Sequence, residues 1–291
     1  MQKRPLVTFA VIAYNQEKYI REAIEGAFSQ TYSPLEIILS DDNSPDSTFS
    51  IMEEMASNYT GPHKIILNRN NPNLGIGKHV GKVMKLASKE SNFIVMSAGD
   101  DISYPERTKI LTEEWIKSKR KYKCFGSDFE RIDMDGSSLG IMKGSDIKFD
   151  DLTSIIKSNC VFGGCTGAYD LSLYRDFPSF IDGLVNEDRA FPLRCKLLGV
   201  DFKFIDKPLI KYRLGGISGG SSNPFKDLYG RSYLTVMKRY RLDYLQKIND
   251  INSINPTDKD ILIKECHNQI NINEIRIKAS ESPYSFLSML S

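Results

Sequence analysis

The chain has 291 residues, 41% of them hydrophobic and 26% charged, with a net charge of +2. These values suit one large globular domain or one domain with a small appendage, and they give no general case for nucleic-acid binding. No stretch approaches the ~18 apolar residues of a membrane span, and MQKRPLVTFAVIAYNQ is no secretory signal. The five cysteines lack CxxC spacing, which points to reduced thiols in a cytoplasmic protein.

Residues 6–13 form a continuous apolar run, the pattern of a strand buried on both faces of a parallel sheet. Asn15 is placed to cap the helix that follows, whose inner stripe is Ile20, Ala23, Ile24, Ala27 and Phe28. Residues 35–39 read as a second strand, and Ser44 with Pro45 as the start of a second helix carrying Phe49, Met52, Met55 and Tyr59 inward. A short third strand spans 65–67. Gly75 and Gly77 then precede a helix with Val80, Val83, Met84 and Ala87 inward, and 93–96 is the fourth strand.

Beyond residue 105 the alternation breaks. PERTKILTEEW opens a helix, and 124–132 followed by Asp135-Gly136 reads as a hairpin. Residues 152–157 are helical, NEDRAFPLRCKLLG is a helix with acids at its start, and FKFIDKPLIKYRLG looks like strand, turn, strand. GGISGGSSNP is the clearest flexible stretch, and 225–280 reads as two or three helices. The first of these, within PFKDLYGRSYLTVMKRYRLDYL, mixes basic and aromatic residues. That mixture suits packing on the preceding domain, a dimer contact, or peripheral contact with anionic lipid.

The β-α-β-α-β-α-β series predicts an α/β fold, a doubly wound, mostly parallel sheet with helices on both faces. Ligands gather at the carboxyl ends of such strands. Asp41, Asp42 and Asn43 lie at the end of strand two, and FIVMSAGDD ends strand four on Asp100 and Asp101. Adjacent acids at a core's rim need a cation or a donor network, and a divalent ion completed by phosphate oxygens supplies one; a turn or helix cap is the simpler reading. Asp42 is the better ligand candidate of its segment, because it need not cap anything. The AYN end of strand one presents backbone to the same crevice. Lys78 reaches a pyrophosphate or stays solvated, since NLGIGKH lacks a complete phosphate-loop pattern. Glu187 and Asp188 at a helix start read as a capping acid or as a general base for an acceptor hydroxyl. Arg213, beside the Gly/Ser-rich loop, is placed to clamp phosphates once that loop closes.

In order, VTFAVIAYNQEKYIREAI, SQTYSPLEIILSDDNSPDST, NPNLGIGKH, FIVMSAGDDISYPERTKIL, NEDRAF and KYRLGG resemble the family 2 glycosyltransferases, which have the GT-A fold. The resemblance covers roughly residues 5–220. It implies a catalytic domain over 1–220, with a nucleotide-sugar-binding half (1–104) and an acceptor-binding half (105–220), and a helical extension over 221–291. It implies a UDP- or dTDP-sugar donor contacting Asp42 through its base, with Ala13 and Tyr14 lining the pocket. Mn²⁺ or Mg²⁺ would sit on Asp100, aided by Asp101, beneath the diphosphate. Asp188, rather than Glu187, would take the acceptor proton in an inverting displacement. The acceptor would be a glycan, lipid-linked or protein-linked, approaching a region that includes Gly164, Cys165 and Thr166. Two positions depart from the pattern. A DxD-type motif would put an acid at Ala98, and relatives often carry a histidine where Leu214, Gly215 and Gly216 stand. An aspartate phosphatase would need DxDx[TV] after strand one, where AYNQE stands. A catalytically inactive nucleotide-sugar-binding or scaffold protein of the same fold is the remaining alternative.

Overall fold

The computed structural model describes residues 4–144, 151–158, 164–215 and 231–281. Four strands are parallel neighbours: β1 (Val7–Ala13), β2 (Leu35–Asp41), β3 (Lys64–Arg69) and β4 (Phe93–Ala98). Both faces of β1 and β2 are covered, which is why their sequences run apolar without alternation. Helices α1 (Ile20–Phe28), α2 (Thr48–Ser57) and α4 (Arg107–Lys117) pack one face, through residues such as Ile24, Met52 and Trp115. Helices α3 (Ile76–Leu86), α6 (Ser172–Arg175) and α7 (Ala190–Leu197) pack the other, through Val83, Leu173 and Phe191.

Past β4 the sheet becomes mixed. Its order is β3-β2-β1-β4-β8-β6-β9-β5, where β5 is Ile102–Ser103, β6 Tyr122–Ile132, β8 Ala168–Asp170 and β9 Asp201–Arg213. The short β8 runs antiparallel to both β4 and β6, and β7 (Ser138–Met142) closes the expected hairpin with β6. A third core gathers Ile155 and Ile156 of α5 (Leu152–Ser158), Leu193, and residues of α8 (Arg231–Ile254) and α9 (Lys259–Glu281), among them Tyr244, Ile251 and Leu262. The two C-terminal helices therefore pack on α7 and α5.

Three local expectations are corrected. Asn15 does not cap α1: it takes a left-handed φ of 58°, and the helix begins at Ile20. Its N–H instead donates to Ser44 Oγ at 2.8 Å, while Gln16 N–H donates to Thr48 Oγ1 at 2.8 Å. Helix α2 begins at Thr48 rather than Pro45, with Asp46 accepting from Thr48 N–H at 3.0 Å. Residues 201–213 form one strand, not two: Ser127 pairs with Ile205 and Asp128 with Pro208, so Asp206 and Lys207 bulge where a turn was expected. The Gly/Ser-rich run, expected to be flexible, lies outside the described residues after Gly215, as do Cys160, Gly163 and residues 225–230. The described cysteines Cys124, Cys165, Cys195 and Cys266 are free thiols.

Candidate functional site

The register sets the site. Ala13 pairs with Asp41 and Ile12 with Ala98, so the segments after β1, β2 and β4 leave the sheet at one edge. The turn after β4 lies so close to β1 that a Cβ on Gly99 would come 2.7 Å from the Cβ of Ala13. That atom belongs to a buried strand residue and cannot swing away. Gly99→Ala is expected to cost about 1–3 kcal/mol and to displace the turn that carries Asp100, as measured by urea unfolding.

Asp42 is buried, and its carboxylate is well supplied with donors. Oδ1 accepts from Asn70 Nδ2 at 2.8 Å and Leu74 N–H at 2.9 Å, and Oδ2 from Gly75 N–H at 2.9 Å. These bonds fold the 70–75 loop onto the end of β2. His79, missed in the sequence, faces the same region: its Nε2 lies 2.7 Å from Ser40 Oγ, and burial lowers its pKa against the pull of Asp42 and Asp41. The Ala13 carbonyl accepts from Asp42 N–H at 2.9 Å, and the Tyr14 side chain is exposed. Lys78 pairs with Asp182 at 2.7 Å on the open surface, a contact of little energetic weight that a stronger anion can displace.

Asp100 and Asp101 are both buried at the end of β4. Burial pushes the Asp100 carboxyl up, opposed by a bond from the Gln16 side chain and by the charge of Arg213. Asp101 is pushed up to about 8 by burial and by its neighbour Asp100. Its Oδ1 accepts from Arg213 N–H at 3.0 Å, and its Oδ2 has no hydrogen-bond partner among the described residues. Beneath the pair lies Arg107, fully buried and read in the sequence only as part of a helix start. Its Nη2 donates to the carbonyls of Met96 (2.7 Å) and Cys165 (2.8 Å), so it joins β4 to the 164–166 turn.

Arg213 sits otherwise than its expected phosphate-clamping role suggests. Its guanidinium is buried and already engaged: Nε donates to Asp100 O, Nη1 to the carbonyls of Asp133 and Met134, and Nη2 to Glu22 at 2.8 Å, with the ring of Tyr19 beneath at 4.5 Å. In this arrangement it fastens α1, the acidic turn and the β6–β7 hairpin together.

Glu187 and Asp188 lie in a single 3-10 turn leading into α7. Burial raises both carboxyls, and their mutual repulsion raises Glu187 further; the Arg189 charge and N–H bonds from Arg189 and Gly164 partly offset this for Asp188. The second 3-10 turn, Gly164–Thr166, lies against Asp188: a Cβ on Gly164 would stand 3.3 Å from Asp188 Oδ2. The Cys165 thiol, held protonated by burial, feels both Asp101 and Asp188. The fold thus brings Asp101, the 164–166 turn and Asp188 into one neighbourhood, from residues as much as 87 positions apart (101 and 188). The cleft of about 350 Å³ between α1 and α2 lies elsewhere, and its charged residues Arg21 and Glu54 pair with each other at 2.8 Å.

No group of three or more His, Cys, Asp or Glu gathers into a metal cage among the described residues. The donor set at the β4 end does suit a hard divalent ion that takes most of its ligands from phosphate: Asp100 supplies carboxylate oxygen, and a cation would relieve the repulsion with Asp101. No described helix is long and apolar enough to cross a membrane.

Comparison with known proteins agrees with this geometry. The glycosyl transferase family 2 model matches residues 8–167, which takes in β1 through the 164–166 turn. The protein EpsE of Bacillus subtilis (strain 168) is 31% identical over 128 residues, 44% of this chain and 44% of its own, so the chain aligns with less than half of that relative's length. Among solved structures, S. aureus TarS 1-349 in complex with UDP-GlcNAc superposes with a TM-score of 0.54 at 16% identity, covering 94% of this chain and 91% of that one. The mannosyltransferase PcManGT of Pyrobaculum calidifontis, in complex with GDP-Man and Mn²⁺, gives 0.55 at 15% identity, covering 96% and 74%. These likenesses show the shared fold. The chain belongs to glycosyl transferase family 2.

Proposed function

We propose that the chain transfers a sugar from a UDP- or dTDP-sugar to a hydroxyl of a glycan, lipid-linked or protein-linked acceptor, with inversion, in building a bacterial surface polysaccharide. The observation that carries this reading is the convergence of Asp101, the neighbour of Asp100, and Asp188, from separate elements, on the turn at Gly164, Cys165 and Thr166. The donor lies across the ends of β1, β2 and β4, its base toward Asp42 and the backbone of Ala13 and Tyr14, its diphosphate toward Asp100 and within reach of Lys78. The acceptor enters over the 164–166 turn. Asp188 accepts the proton of the attacking hydroxyl as that oxygen bonds the anomeric carbon from the face opposite the diphosphate. The carbon–oxygen bond to the diphosphate breaks, and its electron pair stays on the β-phosphate oxygen. Asp100, aided by Asp101, would hold Mn²⁺ or Mg²⁺, which supplies positive charge against the departing diphosphate. Complexes of TarS with UDP-GlcNAc and of PcManGT with GDP-Man and Mn²⁺, proteins of the same fold, support a nucleotide-sugar as the donor. The proposed location is the cytoplasm, with the C-terminal helices open to peripheral membrane contact or dimerisation.

The test is a panel of UDP-, dTDP- and GDP-sugars, with and without Mn²⁺ or Mg²⁺, read by nucleoside diphosphate release and by the anomeric configuration of the product. One donor class is expected to turn over, in a metal-dependent way, with inverted product. Binding of a nucleoside diphosphate without turnover of any donor overturns the catalytic reading. A retained anomeric configuration overturns the mechanism.

A further inference from the structure

The C-terminal helix α8 reaches the turn that carries Asp188. Asp243, 2% exposed on that helix, accepts from Asn186 Nδ2 at 3.2 and 3.0 Å and from Arg189 Nη1 at 3.1 Å. Asn186 and Arg189 stand immediately on either side of Glu187 and Asp188, so one carboxylate grips both ends of the acidic turn. Tyr240, one helical turn earlier, places its ring 4.5 Å from the Arg189 guanidinium. Further along the same face, Gln246 Oε1 accepts from Ile181 N–H at 2.9 Å, and Asp250 pairs with Arg194 at 2.7 Å. Positions 243, 246 and 250 follow the i, i+3, i+7 spacing of one helix face, which fixes α8 in register against residues 181–194.

We propose that Asp243 is a positioning residue for the base at Asp188: it fixes the acidic turn and draws Arg189 away from neutralising that base. The proposal rests on the assignment of Asp188 under the proposed function. Without Asp243, the nearest carboxylates for Arg189 are its own neighbours in the turn, and an ion pair with Asp188 would leave a weaker base. Asp188 is faced by Glu187 and Arg189 from its own turn, by Asp243 from α8, by the Gly164 N–H and Cys165 thiol from the 164–166 turn, and by Tyr169 from β8. Asp243 in turn is faced by Asn186, Arg189, Glu187, Asp188 and Tyr244. The Cys165 thiol and Tyr169 hydroxyl are held neutral by burial, which leaves Glu187, Arg189 and Asp243 as the charges that tune the base.

The experiment is the pH profile of kcat/KM for the full chain, with the donor that the panel identifies, for wild type, Asp243→Asn, Asp243→Glu and Arg189→Gln. Asp243→Asn is expected to move the acid limb down by roughly one pH unit, and Arg189→Gln to move it up by a similar amount. Asp243→Glu is expected to restore most of the wild-type profile. A merely structural contact would lower kcat in both variants and leave the limb in place, and that result overturns the proposal. Should Asp243→Asn fail to fold by thermal melting, Arg189→Gln decides alone, an unmoved limb being the overturning result. If transfer survives Asp188→Asn, the base assignment falls and this proposal with it. If transfer depends on Asp188 but ignores position 243, only the proposal falls.

Discussion

Asp188→Asn is expected to lower kcat by about 10²–10⁴-fold while leaving donor KM within a few-fold of wild type, because general-base assistance is lost and donor contacts are not. The substitution is nearly isosteric, so the N–H bond from Gly164 keeps an acceptor and the turn keeps its place. Glu187→Gln is expected to cost far less, since the groups acting on Glu187 are Asp188 and Asp243, whereas Asp188 is the one bonded to the 164–166 turn. The pH dependence follows with a definite sign. A base must be unprotonated to work, and burial raises the Asp188 carboxyl above the ~3.9 of a solvated aspartate. Activity therefore falls as pH drops through a value above that reference. Since burial and the Asp188 charge raise Glu187 as well, the limb reports the interacting pair. An acid limb at or below pH ~4 would contradict the raised carboxyl of this half-buried base.

The strands and helices of the first hundred residues were legible because their signals are local. Unbroken apolar runs at β1 and β2, a 3.6-residue stripe at α1 and Gly75 before α3 each fix an element without reference to distant residues, although Gly77, expected before that helix, lies within it. The strand-end rule then placed Asp42, Asp100 and the AYN segment at one edge, as the register has them. What escaped depends on contacts between residues far apart in the chain. Arg107 reads as an ordinary residue of PERTKIL until its bond to Cys165, 58 positions away, is seen. Arg213 reads as a loop-side phosphate ligand, yet its partner Glu22 lies 191 positions away. Asp243 carries no signal at all within RYRLDYL; its meaning comes from Asn186 and Arg189. Asn15 misled for a local reason: a residue suited to a helix cap is equally suited to a left-handed turn, and the Ser44 hydroxyl selected the turn.

The C-terminal helices have a testable place in the folded unit as well as in the site. Arg194 and Asp250 form an ion pair with both side chains fully buried, joined through Nε at 2.7 Å and Nη2 at 2.9 Å. The remaining Arg194 donors go to the carbonyls of Leu173 (2.9 Å) and Pro178 (3.1 Å), with the rings of Phe177 and Phe180 each 4.9 Å from the guanidinium. Asp250→Ala leaves that guanidinium buried without its counter-charge, an expected loss of about 3–5 kcal/mol. For a chain of this size the melting temperature should drop by roughly 10 °C. Arg194→Met is expected to cost at least as much, because it also strands the two carbonyls. The double variant should lose clearly less than the sum, since neither charge is then left alone. Additive losses, or a shift of only a degree or two for Asp250→Ala, would mean that α8 is a peripheral appendage. Its hold on the acidic turn would then have to come from Asp243 and Gln246 alone.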